Sequence, residues 1–278
     1  MIQDSDKNFL YLADCLPKSH PAFYNRLIKV LCDFQIPFDL LPYTKDIWAK
    51  DFMPLQIEKS EYVQFIYDPD YLKPPEYHHL HTDPNDVCNA LNQSTNKSRV
   101  VLDGGNVIHS LNKVILCNKI FNENPHFSEC GLIKELTLLF KTDKIIFIPW
   151  DKDDFTGHAD GMVRFVNDNT VVINEPTNEN HLFEKRLRSS LEEAGLEVIE
   201  IPYIAPNDPT YISAKGLHLN YLQMNQAVIV PVFNQATDDI ALRILENIFK
   251  GKRITTIDCN EIAAEGGVLN CISWNIVK

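Results

Sequence analysis

The segment 144-KIIFIPWDKDDFTGHADGMVRFVNDNTVVIN-174 contains three apolar stretches separated by polar residues. Lys144–Trp150 is rich in β-branched and aromatic residues, which is typical of a strand. Met162–Asn167 and Thr170–Asn174 flank a two-residue turn and predict a hairpin. Leu182–Ala194 follows with apolar residues three and four positions apart, which predicts a helix. The segment and the residues after it therefore predict a unit made of a strand, a polar loop, a hairpin and a helix.

This unit recurs along the chain. We predict its first strands at Ile36–Pro42, Arg99–Leu102, Lys144–Trp150, Leu196–Pro202 and Arg253–Asp258. We predict its helices at Pro21–Phe34, Asp83–Gln93, Ser128–Phe140, Leu182–Ala194 and Thr237–Phe249, and a further hairpin at Val107–Ser110 and Val114–Asn118. Strands and helices alternate in many α/β folds, but a regular period indicates structural repeats. We therefore predict a single α/β domain over residues 1–278, built from five pseudo-repeats of about 55 residues.

The loop of each predicted unit carries a polar or ionisable residue. These residues are Asp51, Asp103, His158, Asn220 and Cys271, separated by 52, 55, 62 and 51 positions. Equivalent loops of a closed five-fold ring would place such side chains around its axis. Because functional residues are commonly carried by loops on a rigid scaffold, we expect these five residues to form one site.

The charge balance of the chain limits its partners. Among 278 residues, 26 Lys and Arg stand against 38 Asp and Glu, which gives a formal net charge of −12. Such acidity argues against nucleic acid or an anionic membrane surface as the partner, and it suits a small cationic ligand. The apolar runs are far shorter than the roughly 20 residues of a membrane span, and the first residues do not resemble a signal peptide.

The chain has seven cysteines, an odd number, and no CxxC pair. A zinc site made of thiolates and a thioredoxin-like redox pair are therefore not expected. We expect a cytoplasmic protein whose thiols are reduced and mostly buried. The sequence leaves open whether the protein forms a homo-oligomer.

Two segments carry groups suited to nucleophilic and acid–base chemistry. Cys271 follows the pair Gly266-Gly267 in the sequence EGGVLNCIS, and glycines let the backbone approach a ligand closely. His158 and Asp160 share one face of an extended stretch. A thiolate is a strong nucleophile, and imidazole exchanges protons near neutral pH. The alternatives are a buried structural thiol for Cys271, and a capped turn or half of a metal site for His158 and Asp160.

Two further segments suit the binding of a flat cation. Asp51 lies close to Trp48, and a carboxylate beside an indole can bind a guanidinium through hydrogen bonds and a ring face. Asp103 begins the sequence Asp103-Gly104-Gly105-Asn106. A tight turn is the alternative interpretation of both segments. The run His78-His79-x-His81 resembles a metal site only in composition, since closely spaced histidines without carboxylate partners are typical of a solvated loop.

Together these segments resemble the agmatine deiminase and bacterial-type peptidylarginine deiminase family, within the guanidine-modifying (pentein) superfamily. The resemblance extends from about Leu40 to Ser273 and rests on motifs in five ordered segments. They are Trp48-x-Lys50-Asp51-x-x-Pro54, Asp103-Gly104-Gly105-Asn106, Gly157-His158-x-Asp160-Gly161-x-x-Arg164-Phe165, Asn220-Tyr221 with Asn225 and Val228–Pro231, and Gly266-Gly267 through Cys271-Ile272-Ser273.

The resemblance implies a five-bladed α/β propeller and a hydrolase acting on the C–N bonds of amidines. The implied reaction converts a guanidine to a ureido group and ammonia through a covalent amidino-cysteine, without a metal or organic cofactor. The implied substrate is agmatine, which gives N-carbamoylputrescine for putrescine biosynthesis, or a related small guanidine. The resemblance also implies roles for individual residues: Cys271 as the nucleophile, His158 as the acid–base catalyst, and Asp51 and Asp160 as the guanidinium clamp. The implied substrate-binding residues are Trp48, Asp103, Asn106, Asn220, Gly266 and Gly267.

The chain departs from the family motifs at four positions. Lys50, Met53, Asp103 and Asn270 stand where the family has Arg, Gly, Glu and His. These departures affect the substrate more than the reaction, because the nucleophile, the acid–base residue and both clamping acids are present. A peptidylarginine deiminase, a non-catalytic guanidine-binding protein and a metal-dependent hydrolase using His158 and Asp160 remain alternatives.

Overall fold

The computed structural model describes residues 1–152, 154, 156–177, 181–204 and 212–278. Within these ranges the chain forms five three-stranded sheets. Their strands are β1 (Phe9–Ala13), β2 (Phe38–Leu41), β3 (Leu55–Glu58), β4 (Glu61–Ile66), β5 (Asn96–Val101), β6 (Val107–His109), β7 (Val114–Cys117), β8 (Ile145–Ile148), β9 (Val163–Asn167), β10 (Thr170–Asn174), β11 (Glu197–Ile201), β12 (Leu222–Gln223), β13 (Val228–Val232), β14 (Ile254–Asp258) and β15 (Trp274–Ile276).

All five sheets share one pattern of strand directions. The middle strand pairs antiparallel with one neighbour and parallel with the other. In the sheet β9-β10-β11, Val172 pairs with Arg164 on the antiparallel side and with Ile199 on the parallel side. A parallel pair needs a long crossover connection, usually a helix. The recurring unit predicted from the sequence is confirmed by these sheets.

Within the described ranges the chain forms nine helices, of which seven lie in the connections between parallel strands and two in the crossings between sheets. They are α1 (Leu16–Ser19), α2 (Pro21–Asp33), α3 (Ala49–Phe52), α4 (Pro84–Ala90), α5 (Lys119–Glu123), α6 (Glu129–Phe140), α7 (His181–Glu193), α8 (Asp238–Ile248) and α9 (Asn260–Ala263), with short 3₁₀ turns at Asp4–Asp6, Asp70–Leu72, Pro75–Leu80, Gly104–Asn106 and Ala159–Gly161. The predicted helices correspond to α2, α4, α6, α7 and α8. None of the helices in the described ranges combines the length and the apolarity needed to cross a bilayer.

The long helices follow from their sequences. In α2, Phe23, Leu27 and Leu31 are spaced four residues apart and are fully buried, so one stripe of the helix faces the core. At the start of α6, the hydroxyl oxygen of Ser128 accepts a hydrogen bond from the backbone N–H of Gly131 and caps the helix. These local features explain why the helices were predictable from spacing alone.

One sheet is assembled from both ends of the described chain. Strand β1 pairs antiparallel with β15, where Phe9 lies opposite Ile276, and parallel with β2, where Leu10 lies opposite Phe38. The sequence did not predict β1, because its residues FLYLA are almost continuously buried and show neither alternation nor helical spacing. The pairing of β1 with β15 supplies the remaining sheet.

The loops that carry the predicted site residues connect neighbouring sheets. After the parallel outer strand of one sheet ends, the chain crosses to the first strand of the next sheet. Helix α3 lies in the crossing from β2 to β3, the turn Gly104–Asn106 in that from β5 to β6, and the turn Ala159–Gly161 in that from β8 to β9. Both turns lie against each other, and α3 packs against the first of them. Equivalent crossings therefore converge in one region.

Candidate active site

The residues predicted to form one site are buried at the crossings between sheets. Asp51, Asp103, His158, Asp160, Asn220 and Cys271 are 6%, 5%, 6%, 2%, 0% and 9% exposed. Hydrogen bonds and electrostatic interactions connect them into one cluster, described below as the site cluster. The folded chain thus brings together side chains that are up to 220 positions apart in sequence.

The sulfur of Cys271 lies among an amide and a carboxylate. The side-chain amide of Asn220 donates to Cys271 Sγ at 3.3 Å, and the thiol donates to Asp160 Oδ2 at 3.6 Å. Asn220 Oδ1 also accepts a hydrogen bond from the backbone N–H of Cys271 at 3.3 Å. Asn220 therefore holds both the backbone and the side chain of the cysteine.

Asn270 is a member of this cluster that the sequence identified only as a departure from the motif. Its side-chain amide donates to Asp160 Oδ2 at 2.7 Å, and its backbone N–H donates to Asn220 Oδ1 at 2.9 Å. The backbone N–H of Lys50 donates to the carbonyl oxygen of Cys271 at 3.0 Å. These bonds fix the last crossing against the first and orient the Asp160 carboxylate beside the sulfur.

His158 lies between two carboxylates. Its Nε2 is 3.1 Å from Asp103 Oδ2, and its Nδ1 is 3.6 Å from Asp51 Oδ1. Asp51 Oδ1 also accepts a hydrogen bond from the backbone N–H of Gly105 at 2.9 Å. Burial lowers the pKa of the imidazole, but the charges of Asp51 and Asp103 outweigh it and raise the pKa to about 10. His158 is therefore an imidazolium at neutral pH.

The site cluster contains more carboxylates than cationic groups. Burial, together with Asp103 and Asp160, raises the pKa of Asp51 to about 7. Burial, together with Asp51 and Asp103, raises the pKa of Asp46 to about 8. Asp46 was not predicted as a site residue, and its position two residues before Trp48 was the available signal. Four acidic side chains thus share one buried region, which favours a cationic ligand.

The same environment acts on the thiol. Burial, Asp160 and Asp51 raise the pKa of Cys271 well above its usual value. In the unliganded site Cys271 is therefore a thiol at neutral pH. A bound cation would offset the two carboxylates and favour the thiolate.

Gly105, from one of the family motifs, and Gly267, a predicted substrate-binding residue, leave room for the side chains of the site. A Cβ on Gly105 would lie 2.5 Å from His158 Nδ1 and 2.6 Å from Asp51 Oδ1. A Cβ on Gly267 would lie 2.4 Å from the Trp48 ring. Gly266 has a φ of +97°, in the region that favours glycine. A larger residue would collide with site residues at Gly105 and Gly267, and it would strain the backbone at Gly266.

Asn106, predicted to bind substrate, forms hydrogen bonds to the backbone of a neighbouring strand. Its Oδ1 accepts a hydrogen bond from the backbone N–H of Cys117 at 2.7 Å, and its Nδ2 donates to the Cys117 carbonyl at 3.4 Å. The side-chain amide is therefore occupied in fixing the start of β6 to the end of β7. The sequence could not distinguish this use from ligand binding, since both need a buried amide.

His78 and His81 of the histidine run form hydrogen bonds to backbone carbonyls. His78 and His79 are exposed in the turn Pro75–Leu80, and His81 Nε2 lies 3.0 Å from the Tyr67 carbonyl oxygen. Among the residues that the structure describes, no group of three or more His, Cys, Asp or Glu side chains is arranged to hold a metal ion.

Known structures share this architecture. The chain superposes on agmatine deiminase of C. jejuni with a TM-score of 0.82 at 19% identity, covering 100% of this chain and 95% of that one. It superposes on DDAH of Pseudomonas aeruginosa with a TM-score of 0.61 at 13% identity, covering 98% and 100%. The predicted five-bladed α/β propeller is confirmed.

Sequence comparisons give the family. A relative from Vibrio parahaemolyticus is 24% identical over 223 residues, which are 68% of this chain and 62% of that protein. Agmatine deiminase of Pseudomonas aeruginosa is 23% identical over 209 residues, which are 62% of this chain and 56% of that protein. The chain spans about 60% of the length of the curated relatives it matches. The family model of Porphyromonas-type peptidyl-arginine deiminase matches residues 20–276, and the chain therefore belongs to that family.

Proposed function

We propose that the protein hydrolyses a small guanidine, such as agmatine, to a ureido product and ammonia. The observation that carries the proposal is the position of Cys271 Sγ, 3.6 Å from a buried carboxylate oxygen of Asp160, in a cluster that also holds the His158 imidazole between two carboxylates. The similarity to agmatine deiminases supports the same reaction.

Binding of the guanidinium follows from the charges of the site cluster. A guanidinium is planar and permanently charged, and it donates hydrogen bonds in pairs to carboxylates. Asp51 and Asp160 would accept these bonds from its nitrogen atoms and hold its carbon in reach of the sulfur. Trp48 would cover one side of the pocket.

The first chemical step forms a bond between sulfur and carbon. When the cation binds, the thiol proton leaves to water and the Cys271 thiolate attacks the guanidinium carbon, giving a tetrahedral adduct. The His158 imidazolium then donates a proton to one amino group, the C–N bond breaks and ammonia leaves. The remaining species is a covalent amidino-cysteine.

The second step releases the product. His158, now neutral, accepts a proton from a water molecule, whose oxygen attacks the same carbon. The C–S bond breaks, the hydroxyl proton of the adduct passes to the departing sulfur and restores the Cys271 thiol, and the neutral ureido product leaves. Over the cycle one guanidinium and one water give one ureido compound and one ammonium ion. Asp103, at 3.1 Å from His158 Nε2, holds the ring in place throughout.

The burial of the site favours a small substrate over an arginine within a protein. Cys271, His158 and Asp160 are each less than one tenth exposed. A polypeptide substrate would have to insert its side chain into this enclosed region. We therefore place agmatine and related free guanidines before peptidyl-arginine.

The proposal is tested by incubating the protein with agmatine, arginine and an arginine-containing peptide, and by measuring ammonia and the ureido product. We expect agmatine to react fastest and Cys271→Ala to lower the rate by about 10⁴-fold or more. Cys130→Ala removes an exposed thiol and serves as the matched control with unchanged activity. Absence of ammonia from every guanidine would contradict the proposal, and a faster reaction with the peptide would assign the substrate to peptidyl-arginine.

A second measurement distinguishes an enzyme from a non-catalytic guanidine-binding protein. A haloacetamidine carries an amidinium like the substrate and alkylates thiolates. We expect it to modify Cys271 faster than Cys32 and Cys130, although these two are exposed and Cys271 is buried. Equal rates for the exposed thiols and no modification of Cys271 would favour the binding protein.

A further inference from the structure

A cavity of about 270 Å³ lies beyond the site cluster. Its walls come from the N-terminal segment, strands β6 and β9, the residues after α8, and two residues next to the site, Lys50 and Asn270. Cys271, His158 and Asp160 are not among the residues that line it. The volume is slightly below the usual range for drug-sized ligands, roughly 300–1,000 Å³, so it suits a smaller molecule. We call it the axial cavity.

The charge of the axial cavity is opposite to that of the chain. Lys50, Arg164, Lys250 and Lys252 line it, against the single carboxylate of Asp4, in a chain of net charge −12. Lys50 and Arg164 are 9% and 3% exposed, whereas Lys250 and Lys252 are exposed at its rim. A concave surface with excess positive charge concentrates anions.

Lys50 is the central feature of this cavity. Within the described ranges its ammonium group has no hydrogen bond or ion pair, and it interacts at longer range with the cations Lys7 and Arg164 and the carboxylates Asp4 and Asp160. Buried charges in proteins are normally paired, because an isolated charge loses its hydration without compensation. The Lys50 side chain is 9% exposed, lines the cavity and has no partner for its ammonium group among the described residues, so a ligand in the cavity would supply the missing negative charge.

Two further cavity residues, Arg164 and His109, have polar side chains beside Lys50. Arg164 donates to Asp4 Oδ2 at 2.9 Å and to the Tyr221 carbonyl oxygen at 3.0 Å, and its guanidinium lies 4.5 Å from the Tyr221 ring centroid. The Asp4 carboxylate is shared with Lys7 at 2.7 Å, so it does not neutralise both cations. His109 also lines the cavity, and its buried Nδ1 has no partner among the described residues.

We propose that the axial cavity binds a small oxyanion carrying at least two negative charges, of the phosphate or dicarboxylate class. Lys50 and Arg164 provide the positive charge, and His109 and Asn270 provide polar contacts. Lys250 and Lys252 attract the anion to the rim. The site stands on these contacts and does not depend on the proposed deiminase reaction.

The oxyanion site shares a wall with the site cluster. Asn270 lines the cavity and donates to Asp160, and the backbone N–H of Lys50 donates to the Cys271 carbonyl. Along the chain, Lys50 immediately precedes Asp51 and Asn270 immediately precedes Cys271, so an anion in the cavity would contact the direct neighbours of two site residues.

The test is direct binding of inorganic phosphate and of malonate to the full chain by isothermal titration calorimetry, at constant ionic strength. We expect one anion per chain. Lys50→Met removes a charged partner and should weaken binding about tenfold or more. Removing both rim lysines, Lys250→Ala with Lys252→Ala, should weaken it roughly two- to fivefold, because exposed charges contribute less.

Lys134→Ala is the matched control and should leave binding unchanged. It removes an exposed lysine from helix α6, which contributes no residue to the cavity wall. Binding of phosphate alone assigns the ligand to phosphates, and binding of malonate alone assigns it to carboxylates. The proposal is overturned if neither anion binds, or if the lysine-deleted variants bind as tightly as Lys134→Ala. Should Lys50→Met fail to fold, the rim variant and its control carry the test.

Discussion

Lys50 and Asp51 are consecutive residues of α3, yet they belong to chambers of opposite charge. Asp51 lies among the carboxylates of the site cluster, whereas Lys50 lines the axial cavity beside Arg164. Burial and nearby carboxylates raise the pKa of Asp51 to about 7. Burial, with Lys7 and Arg164 nearby, lowers the pKa of Lys50 to about 8. Both shifts favour the neutral form, although the two groups have opposite charge.

Two adjacent residues on one helical turn therefore favour ligands of opposite charge. Each group is buried among like charges, so its charged form is destabilised until a ligand of opposite charge arrives. A guanidinium would satisfy Asp51, and an oxyanion would satisfy Lys50. Stability is lower at both positions than a neutral residue would give, which is common where a protein binds charged ligands.

Within the comparison of Lys50 and Asp51, the largest expected effect comes from removing the charge of Asp51. Asp51→Asn retains the shape of the side chain and can still accept the hydrogen bond from Gly105, but it no longer attracts the guanidinium. We expect kcat/KM for agmatine to fall about 10²- to 10³-fold. Asp143→Asn, which neutralises an exposed acid, is the matched control with unchanged kinetics. Equal activity of both variants would show that Asp51 does not contact the substrate.

The second-largest expected effect on activity comes from filling the space at Gly105, between Asp51 and His158. Gly105→Ala would place a Cβ at 2.5 Å from His158 Nδ1 and 2.6 Å from Asp51 Oδ1, so one of these groups must move. Because displacement by about 1 Å can reduce catalysis 10²-fold, we expect a loss of that order in kcat. In Gly161→Ala the nearest atom is a Leu217 methyl at 3.9 Å, an ordinary contact, and this variant should remain active. Similar activities of the two variants would contradict the described geometry.

The pH dependence of kcat/KM provides a sharper comparison. Asp51 has a pKa raised to about 7, so its carboxylate is present above that pH and is lost as the pH falls through it. His158 has a pKa raised to about 10, so its imidazolium is lost as the pH rises through that value. We expect kcat/KM to fall about tenfold per unit below pH 7 and again above pH 10. A flat profile between about pH 5 and 7 would exclude Asp51 as the group that binds the cation.

The smallest effect is on stability, and it should have opposite pH dependence at the two residues. An acid whose pKa is raised on folding destabilises the folded state fully above the folded pKa, and a lysine whose pKa is lowered does so fully below it. We therefore expect Asp51→Asn to raise Tm by about 2 to 5 °C above pH 7, a gain that shrinks as the pH falls toward 4.

Lys50→Met should raise Tm by a similar amount below pH 8, a gain that shrinks as the pH rises toward 10.5. Differential scanning fluorimetry across this range measures both variants. Parallel pH dependence of the two gains, or lower Tm for both, would contradict the electrostatic account.

Local patterns were sufficient for much of the fold. The helices α2, α4, α6, α7 and α8 and the hairpins β6–β7 and β9–β10 agree with predictions made from apolar spacing and turn residues. Strands β1, β3, β4, β12, β13 and β15 were not predicted. Of these, β1 is almost continuously buried and β12 has only two residues. Neither carries a periodicity long enough to be recognised.

The sequence predicted which residues form the candidate site better than it predicted what each of them contacts. The regular spacing identified Asp51, Asp103, His158, Asn220 and Cys271, and the structure places them in one cluster. It also shows that Asn106 is occupied by backbone groups and that Asp46 joins the carboxylates. Whether an amide faces a ligand or a neighbouring strand depends on contacts between distant segments, which local sequence does not encode.

The sequence by itself determined the repeating unit, the sites of its helices and the positions of the polar residues in equivalent loops, because these depend on residues close together in the chain. Only the tertiary structure decided how β1 and β15 complete a sheet, and that Lys50 and Asp51 serve different chambers. The physical reason is that burial and the charges surrounding a group are set by segments from many parts of the chain. The pKa of a side chain and the ligand it favours follow from that assembly.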